Sequence, residues 1–455
     1  MSEQIAENKM GVAPVRRLLL SMALPIVGSM LAQACYNIVD SIFVSRINEN
    51  ALSAVSIAFS IQTIMMAIAL GTNTGINALL SRSLGAKEHK RAHEITQHAI
   101  FLAVISAAVI AFASIWFVPA YMKLMTTEST TQICEYGISY LRIVCGFCIF
   151  MFGVNTGERL LTSTGKTHLT MISQLSGAVI NIILDPLMIF GIGPFPEMGV
   201  AGAAAATMIA MAISVVICLY LNINKNKEIS LSMKGFRPNG ALIKDIYRIG
   251  IPSGAIMVLN SITNIFLNRL LIGFTETAVA VLGAYYKLNT FVFFPIFSLN
   301  QASVPIIAYN LGARHKRRII DTIKWTLIFG VSVMTLGTVI FCLAPEFLLS
   351  LFGASETMLE IGTHALRIIS IMFPFAAMCI ILSSVMQALG YAYYSMIAAL
   401  CRQIIVLIPA AWFLAWLGGL DLVWWAFFIA ECVSLLLILA FFRKVYIKMI
   451  VPLPE

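Results

Sequence analysis

Long apolar stretches separated by short polar ones run along the whole chain. Each stretch has roughly 18 or more residues with few charges, enough to cross about 30 Å of hydrocarbon as an α-helix. Twelve such stretches begin near Leu18, Ala51, Ala92, Ile133, Leu169, Gly199, Ile246, Ala278, Ile319, Met358, Tyr394 and Leu422. The pattern therefore predicts an all-α membrane protein of twelve transmembrane helices.

The longest polar connection lies near the middle of the chain, from about Asn222 to Asp245. It divides the twelve predicted spans into two sets of six. We therefore predict three segments: an amino-terminal six-helix lobe over residues 1–222, a cytoplasmic linker over 223–244, and a carboxy-terminal six-helix lobe over 245–455.

Composition and charge agree with a bilayer as the solvent. Apolar residues make up 60% of the chain and charged residues 11%, which is unlike a water-soluble domain of this length. With both termini in the cytoplasm, only Arg46 and Lys123 of the basic loop residues fall clearly outside. We therefore expect a multi-pass protein of the cytoplasmic (inner) membrane, monomeric, whose net charge of +9 needs no nucleic-acid partner.

An internal repeat relates the two halves. Pro25 and Pro252 are 227 residues apart, and so are Gly85 and Gly312 within "SLGAKEHK" and "NLGARHKR". The halves are thus six-span repeats in the same orientation, which predicts two pseudo-symmetric lobes facing a central cavity, with substrate near the midplane. This architecture indicates a transporter of small molecules that works by alternating access.

Two acidic residues break the symmetry of the repeat. Asp40 corresponds to Leu267 in the second half at the separation of 227 residues. Asp185 corresponds to Ala410 at a separation of 225, the separation that relates Gly165 to Gly390 further along the repeat. A carboxylate deep within a span costs roughly 2.5–3.5 kcal/mol on insertion scales, so an intramembrane acid is a functional candidate by default. Both acids come late in spans that run in the same direction, so we expect them at similar depth.

Neighbouring residues add oxygen ligands to these acids. Tyr36 is four residues before Asp40, and Asn181 is four before Asp185, so each pair shares a helical face. Pro186 leaves the carbonyl one turn earlier without its helical hydrogen bond. Two carboxylates with amide, phenol and carbonyl oxygens suit a proton or a hard cation such as Na⁺.

At these residues the sequence resembles the multidrug and toxic compound extrusion (MATE) family, and most closely its DNA-damage-inducible-type branch of bacteria and archaea. The resemblance covers nearly the whole chain. It is carried by the segments "MALPIVGSMLAQACYNIVDSIFVSR", "LGAKEHKRA", "NIILDPLMIFG", "MGVAGAAAAT" and "VPIIAYNLGAR". The family fold is twelve helices in two pseudo-symmetric lobes.

The resemblance implies export of small organic cations, such as drugs or toxins, in exchange for H⁺ or Na⁺. It places the coupling-cation site at five residues: Asp40, Asn181, Asp185, Tyr36 and Thr207. Na⁺ would bind at Asp40, Asn181 and Asp185, and no other cofactor is expected. Pro25 matches a proline at which the first helix of the family is thought to bend when the site is protonated.

The second half carries charges that the first half lacks. Lys287, Arg402 and Glu431 lie within predicted spans and correspond to Ser60, Gly177 and Ala206. Because lysine and arginine in a cavity would repel cations, two interpretations follow. Either Glu431 pairs with one of the basic residues, or the substrate is zwitterionic or anionic.

Two segments match enzyme motifs only in part, because each lacks a residue that its motif requires. "TSTGKT" has Leu160 where a phosphate-binding loop needs glycine, and "HEITQH" has Gln97 where a zinc-protease helix needs histidine. An enzyme is therefore not expected. Two alternatives to drug export stay open: a flippase of lipid-linked precursors with related lobes, and a membrane sensor or scaffold that does not transport.

Overall fold

A computed structural model describes residues 8–126 and 130–454, and every regular element in these residues is helical. The first half contains α1 (Lys9–Val12), α2 (Val15–Ser45), α3 (Glu49–Gly85), α4 (His89–Met125), α5 (Thr131–Gly146), α6 (Ile149–Ser163), α7 (Thr167–Ile189) and α8 (Val200–Lys225). The second half contains α9 (Gly240–Ile272), α10 (Glu276–Gly312), α11 (Lys316–Leu343), α12 (Pro345–Ser350), α13 (Glu356–Ser370), α14 (Phe373–Ala388), α15 (Ala392–Leu400), a π-helical segment (Cys401–Leu407), α16 (Ile408–Gly418), α17 (Leu420–Val423) and α18 (Trp425–Met449).

Ten helices in the described residues are long and apolar enough to cross a membrane. Two further spans are bent helix pairs: α5 with α6, at 47°, and α13 with α14, at 46°. With each pair counted as one span there are twelve, which confirms the predicted all-α membrane fold. The bent spans are the fourth and the tenth, so they occupy equivalent places in the two halves of the repeat.

The described helices form two compact units. The amino-terminal unit comprises residues 25–84 and 88–246, and the carboxy-terminal unit comprises residues 8–24, 85–87 and 247–454. The helix α2 is therefore shared, because its first ten residues pack in the carboxy-terminal unit and the rest, from Pro25 onward, in the amino-terminal unit. Between α8 and α9, residues 226–239 form the connection where the linker was predicted.

Small residues bring α7 and α8 close together in the amino-terminal unit. A Cβ atom on Gly202 would collide with the carbonyl oxygen of Met188, and one on Gly177 would collide with the hydroxyl of Ser214. The two helices can approach this closely only because these positions carry no side chain. This close packing places the polar side chains of α7 against those of α8.

Aromatic side chains hold the middle of the carboxy-terminal unit. Phe373 packs edge-to-face against Phe293, with ring centroids 5.6 Å apart, and against Phe341, at 5.2 Å. Edge-to-face contacts of this kind stabilise by about 0.5–1.5 kcal/mol each beyond the burial of area. Tyr285 and Trp424 are also fully buried in this core. The helices α10, α11, α14 and α18 therefore pack around one common core.

A clamp in the carboxy-terminal unit holds the beginning of the chain. Arg318 on α11 donates from Nη2 to the carbonyl oxygens of Met10 (3.0 Å) and Ala13 (2.7 Å). Its Nε donates to Oδ1 of Asn310 at 3.1 Å, and Nδ2 of Asn310 donates to the carbonyl of Met10 at 3.0 Å. The clamp ties α1 and Ala13, two residues before α2, to helices of the second half.

We predict that Arg318→Ala releases this segment, because two backbone carbonyls and one amide oxygen lose a charged donor. Amide exchange at Gly11 and Ala13, whose N–H groups bond to Asn8 and Lys9, should accelerate about tenfold or more. Hydrogen exchange with mass spectrometry measures this. Arg317→Ala is the control, since Arg317 is exposed on the same helical turn; equal exchange rates in both variants would contradict the clamp.

Candidate functional site

Helices α2, α7 and α8 of the amino-terminal unit carry the five predicted site residues. Tyr36 and Asp40 lie one turn apart on α2, Asn181 and Asp185 lie one turn apart on α7, and Thr207 lies on α8. Asn181 and Asp185 are buried, at 3% and 0% exposure. Asp40, Tyr36 and Thr207 are partly buried.

Asn181 joins α7 to α8. Its Nδ2 donates to Oδ1 of Asp185 at 3.2 Å and to Oγ1 of Thr207 at 3.3 Å. Thr207 donates its own hydroxyl hydrogen to the carbonyl of Ala203 at 3.0 Å, so a lone pair of Oγ1 is left to accept from Asn181. Both amide hydrogens are therefore engaged, and this fixes the direction of the amide oxygen.

Three buried acceptor atoms at this site have no hydrogen-bond donor. They are Oδ1 of Asp40, Oδ1 of Asn181 and Oδ2 of Asp185. Asp40 and Asp185 lie close enough to interact electrostatically. Buried acceptors without donors are rare because each one forfeits its hydration, and two neighbouring carboxylates repel each other when both are ionised. The arrangement is complementary to a proton or a small cation.

The candidate ligands at this site are oxygen atoms of Asp40, Asn181 and Asp185. No group of three or more His, Cys, Asp and Glu side chains comes together within residues 8–126 and 130–454. The oxygens of Asp40, Asn181 and Asp185 are the ligands that would hold Na⁺, and they are hard oxygen ligands of the kind such ions prefer. A single proton shared by the two acids would remove the same repulsion.

Two further residues belong to this site that the sequence analysis did not single out. Tyr140 on α5 interacts electrostatically with Asp40, Asp185 and Tyr36. Gln62 on α3 donates from Nε2 to the hydroxyl oxygen of Tyr140 at 2.9 Å. A signal for Tyr140 was present, because the equivalent position in the second half is Ala365. The asymmetry that marked the two acids marks Tyr140 as well.

Pro25 and Pro186, the two prolines singled out in the sequence, both lie inside helices. Pro186 follows Asp185 within α7, and the helix continues to Ile189. Its ring cannot donate to the carbonyl of Ile182, so that oxygen lies one turn before the acid without its helical partner. Pro25 lies in α2 at the residue where that helix passes from one compact unit to the other. Bending at Pro25 stays a prediction.

The three charged residues singled out in the second half, Lys287, Arg402 and Glu431, make two separate contacts. Arg402 donates from Nη1 to Oε2 of Glu431 at 3.0 Å, so the acid pairs with this arginine. Lys287 instead places its ammonium over the ring of Phe352, 5.8 Å from the ring centroid. All four residues lie in the carboxy-terminal unit.

Comparison with known proteins identifies the family. The family model MatE matches residues 25–187 and 252–413, well over half of the chain and once in each half of the repeat. The chain therefore belongs to the MatE family of multi-pass membrane transporters.

Two relatives are similar over most of their length. The multidrug export protein MepA of Staphylococcus haemolyticus is 27% identical over 416 residues, which are 91% of this chain and 90% of that protein. A protein of Shewanella oneidensis named as an FAD transporter is 27% identical over 400 residues, 88% of each chain. Both alignments extend across the two halves of the repeat.

Solved structures share the fold. An outward-facing multidrug resistance MATE transporter of the MOP superfamily superposes with a TM-score of 0.90 at 22% identity, covering 97% of this chain and 98% of that one. A MOP superfamily transporter from Pyrococcus furiosus, described as having a binding pocket of reverse polarity, gives 0.89 with the same identity and coverage. The likeness confirms the predicted two-lobed fold.

We predict that Thr207→Val lowers the thermal stability of the purified protein. Valine has the shape of threonine without the hydroxyl, so one buried N–H of Asn181 loses its acceptor, at a cost of about 1–2 kcal/mol. Thermal melting in detergent measures the change. Thr207→Ser keeps the acceptor and should melt close to the wild type; identical melting of all three proteins would contradict the Asn181 to Thr207 hydrogen bond.

Proposed function

We propose that the chain is a cation-coupled antiporter that exports small organic molecules by alternating access, with H⁺ or Na⁺ as the coupling ion. The coupling ion would bind at Asp40, Asn181 and Asp185, with Tyr36 and Thr207 completing the site. Family membership supports transport of a small molecule, and the name of the relative MepA supports export of drugs.

One observation carries this proposal: three buried acceptor atoms have no hydrogen-bond donor. Oδ1 of Asp40, Oδ1 of Asn181 and Oδ2 of Asp185 are buried together with no donor among them. A structural polar cluster would satisfy such atoms with fixed N–H or O–H groups, as Asn181 and Thr207 do on the other side of the same amide. Acceptors left open are suited to an ion that enters and leaves during the cycle.

The shared helix α2 offers a route from the ion site to a change of shape. Asp40 is on α2 fifteen residues after Pro25, where the helix lacks one backbone hydrogen bond. Binding of a cation to Asp40 changes the charge on one part of this helix and so favours one of its shapes. To reverse a 1:99 preference the ion must favour one state by about 5.5 kcal/mol, which buried carboxylates can approach and exposed pairs cannot.

Orientation rests on the basic residues between the spans. Placing both termini in the cytoplasm puts the Lys87 to Arg91 segment, the connection between α8 and α9, and the Arg314 to Arg318 segment on the cytoplasmic side. We propose this orientation in the inner membrane. With this orientation, export moves the substrate away from the cytoplasmic side, where both termini lie.

A second candidate substrate class is anionic. The relative from Shewanella oneidensis is named as an FAD transporter, and Arg402 brings a permanent positive charge into the second half of the present chain. Organic anions carrying phosphate or carboxylate are therefore an alternative to organic cations. Ion coupling at Asp40 and Asp185 is the same in both cases.

Efflux of ethidium from proteoliposomes tests the coupling, first under an imposed pH gradient and then under an imposed Na⁺ gradient. We predict that Asp40→Asn and Asp185→Asn each slow gradient-driven efflux at least tenfold, because asparagine cannot exchange a cation. The gradient that drives the wild type identifies the ion.

Asp421→Asn is the matched control, since this acid is exposed at α17, and it should transport like the wild type. Expression and thermal melting of each variant separate lost coupling from lost folding. Efflux near the wild-type rate in both Asp40→Asn and Asp185→Asn would show that neither acid binds the coupling ion.

A further inference from the structure

Arg402 lies deep in the span formed by residues 392–418. It is ten residues from the beginning of α15, about 15 Å along a helix axis at 1.5 Å per residue, which is close to the middle of the hydrocarbon. Glu431 is eleven residues into the last span, at comparable depth. Charged side chains at this depth are costly and face the protein interior or a water-filled cavity rather than lipid.

The two partners of this ion pair differ in burial. The side chain of Glu431 is 2% exposed, whereas that of Arg402 is 30% exposed, although only 3.0 Å separates Nη1 from Oε2. The carboxylate therefore lies on the core side, and part of the guanidinium faces away from it. A guanidinium has five N–H donors in a planar fork, so the pair with Glu431 leaves an edge that can bind a second anion.

The π-helical segment also contains Gln403, the residue that follows Arg402. Gln403, 2% exposed, donates from Nε2 to Oδ1 of Asn260 at 2.7 Å and accepts from Oγ1 of Thr263 at 3.2 Å. Because the oxygen of Asn260 is held by Gln403, its amide nitrogen points the other way and is a donor. Insertions of π-helix in a span occur most often at functional sites.

Two tyrosines of α10 lie near the guanidinium. Tyr285 and Tyr286 on α10 both interact electrostatically with Arg402. Tyr285 is buried, and Tyr286 is partly exposed. Arg402 and Tyr286 are therefore donors that are not fully buried, while the carboxylate of Glu431 is already paired with the arginine.

We infer that Arg402 binds the anionic group, a phosphate or a carboxylate, of the transported molecule, and that Glu431 holds Arg402 in position for it. The guanidinium stays charged throughout the cycle because it does not deprotonate in proteins, and its fork matches the geometry of both anionic groups. An organic cation would meet only donors and a neutralised acid at this cluster. This inference rests on the proposed transport function and names its substrate class.

Riboflavin and flavin mononucleotide test the inference, since they differ only by one phosphate. Binding of each to the purified chain in lipid nanodiscs is measured by equilibrium dialysis with no ion gradient. We expect the wild type to bind flavin mononucleotide about tenfold or more tightly than riboflavin, the effect of a charged hydrogen-bonded pair. Arg402→Gln should bind the two flavins equally, and Arg402→Lys should keep part of the preference.

Removing the arginine alone leaves the buried carboxylate of Glu431 without its ion-pair partner. The double variant Arg402→Gln with Glu431→Gln is therefore made in parallel. It carries no unpaired charge and should fold while binding the two flavins equally. Arg367→Gln is the control, because Arg367 is exposed and donates to the carbonyl of Cys342 on α11; it should keep the wild-type preference.

The inference is overturned if the wild type does not prefer flavin mononucleotide, or if the folded double variant keeps the preference. Either result would make Arg402 and Glu431 a structural pair of the core. Because no gradient is applied, such a failure is separate from the coupling at Asp40 and Asp185, which the ethidium efflux assay measures.

Discussion

The free energy of keeping a carboxylate inside the hydrocarbon governs how this transporter is built. An ionised acid at that depth needs a proton, a cation or a basic side chain, and each choice has a different consequence. Asp185 is fully buried, and the amide of Asn181 satisfies only one of its oxygens. The remaining oxygen and Oδ1 of the nearby Asp40 have no protein donor. In the function proposed above, an ion from solution neutralises them.

The carboxy-terminal unit meets the same constraint with a fixed partner. Glu431 is as buried as Asn181, but Arg402 neutralises it at 3.0 Å. A permanent ion pair cannot follow a gradient, whereas the site proposed at Asp40 and Asp185 in the first half can exchange its ion. The helix α2 connects the two units: the clamp at Arg318 holds the residues just before it, and Asp40 lies near its end.

Sequence reasoning predicted the parts of this protein that follow from hydropathy and repeats. The twelve spans are confirmed, because about twenty apolar residues have few alternatives to a helix in a bilayer. Repeat asymmetry marked Asp40 and Asp185, and the separation of four residues explains the hydrogen bond from Asn181 to Asp185.

Contacts between distant helices could not be predicted in the same way. Nothing in the local sequence indicated that Gln62 would hold Tyr140. The sequence did suggest that Glu431 pairs with a basic residue, and this is confirmed, but it did not indicate that the partner is Arg402 while Lys287 lies over Phe352. These depend on how helices pack, which hydropathy does not encode. The clamp on Met10 is of the same kind, since about 300 residues of chain separate it from Arg318.

The most direct test of the account is whether substrate binding expels the coupling ion. Antiport requires that substrate and ion weaken each other's binding, and this linkage holds at equilibrium without a membrane gradient. Ethidium and flavin mononucleotide are added, in separate titrations, to the purified protein in weakly buffered nanodiscs while released H⁺ and Na⁺ are counted. The account predicts release of about one cation per bound substrate in the wild type and none when Asp40 and Asp185 are both changed to asparagine. Binding without release in the wild type, or equal release by the double variant, would contradict it.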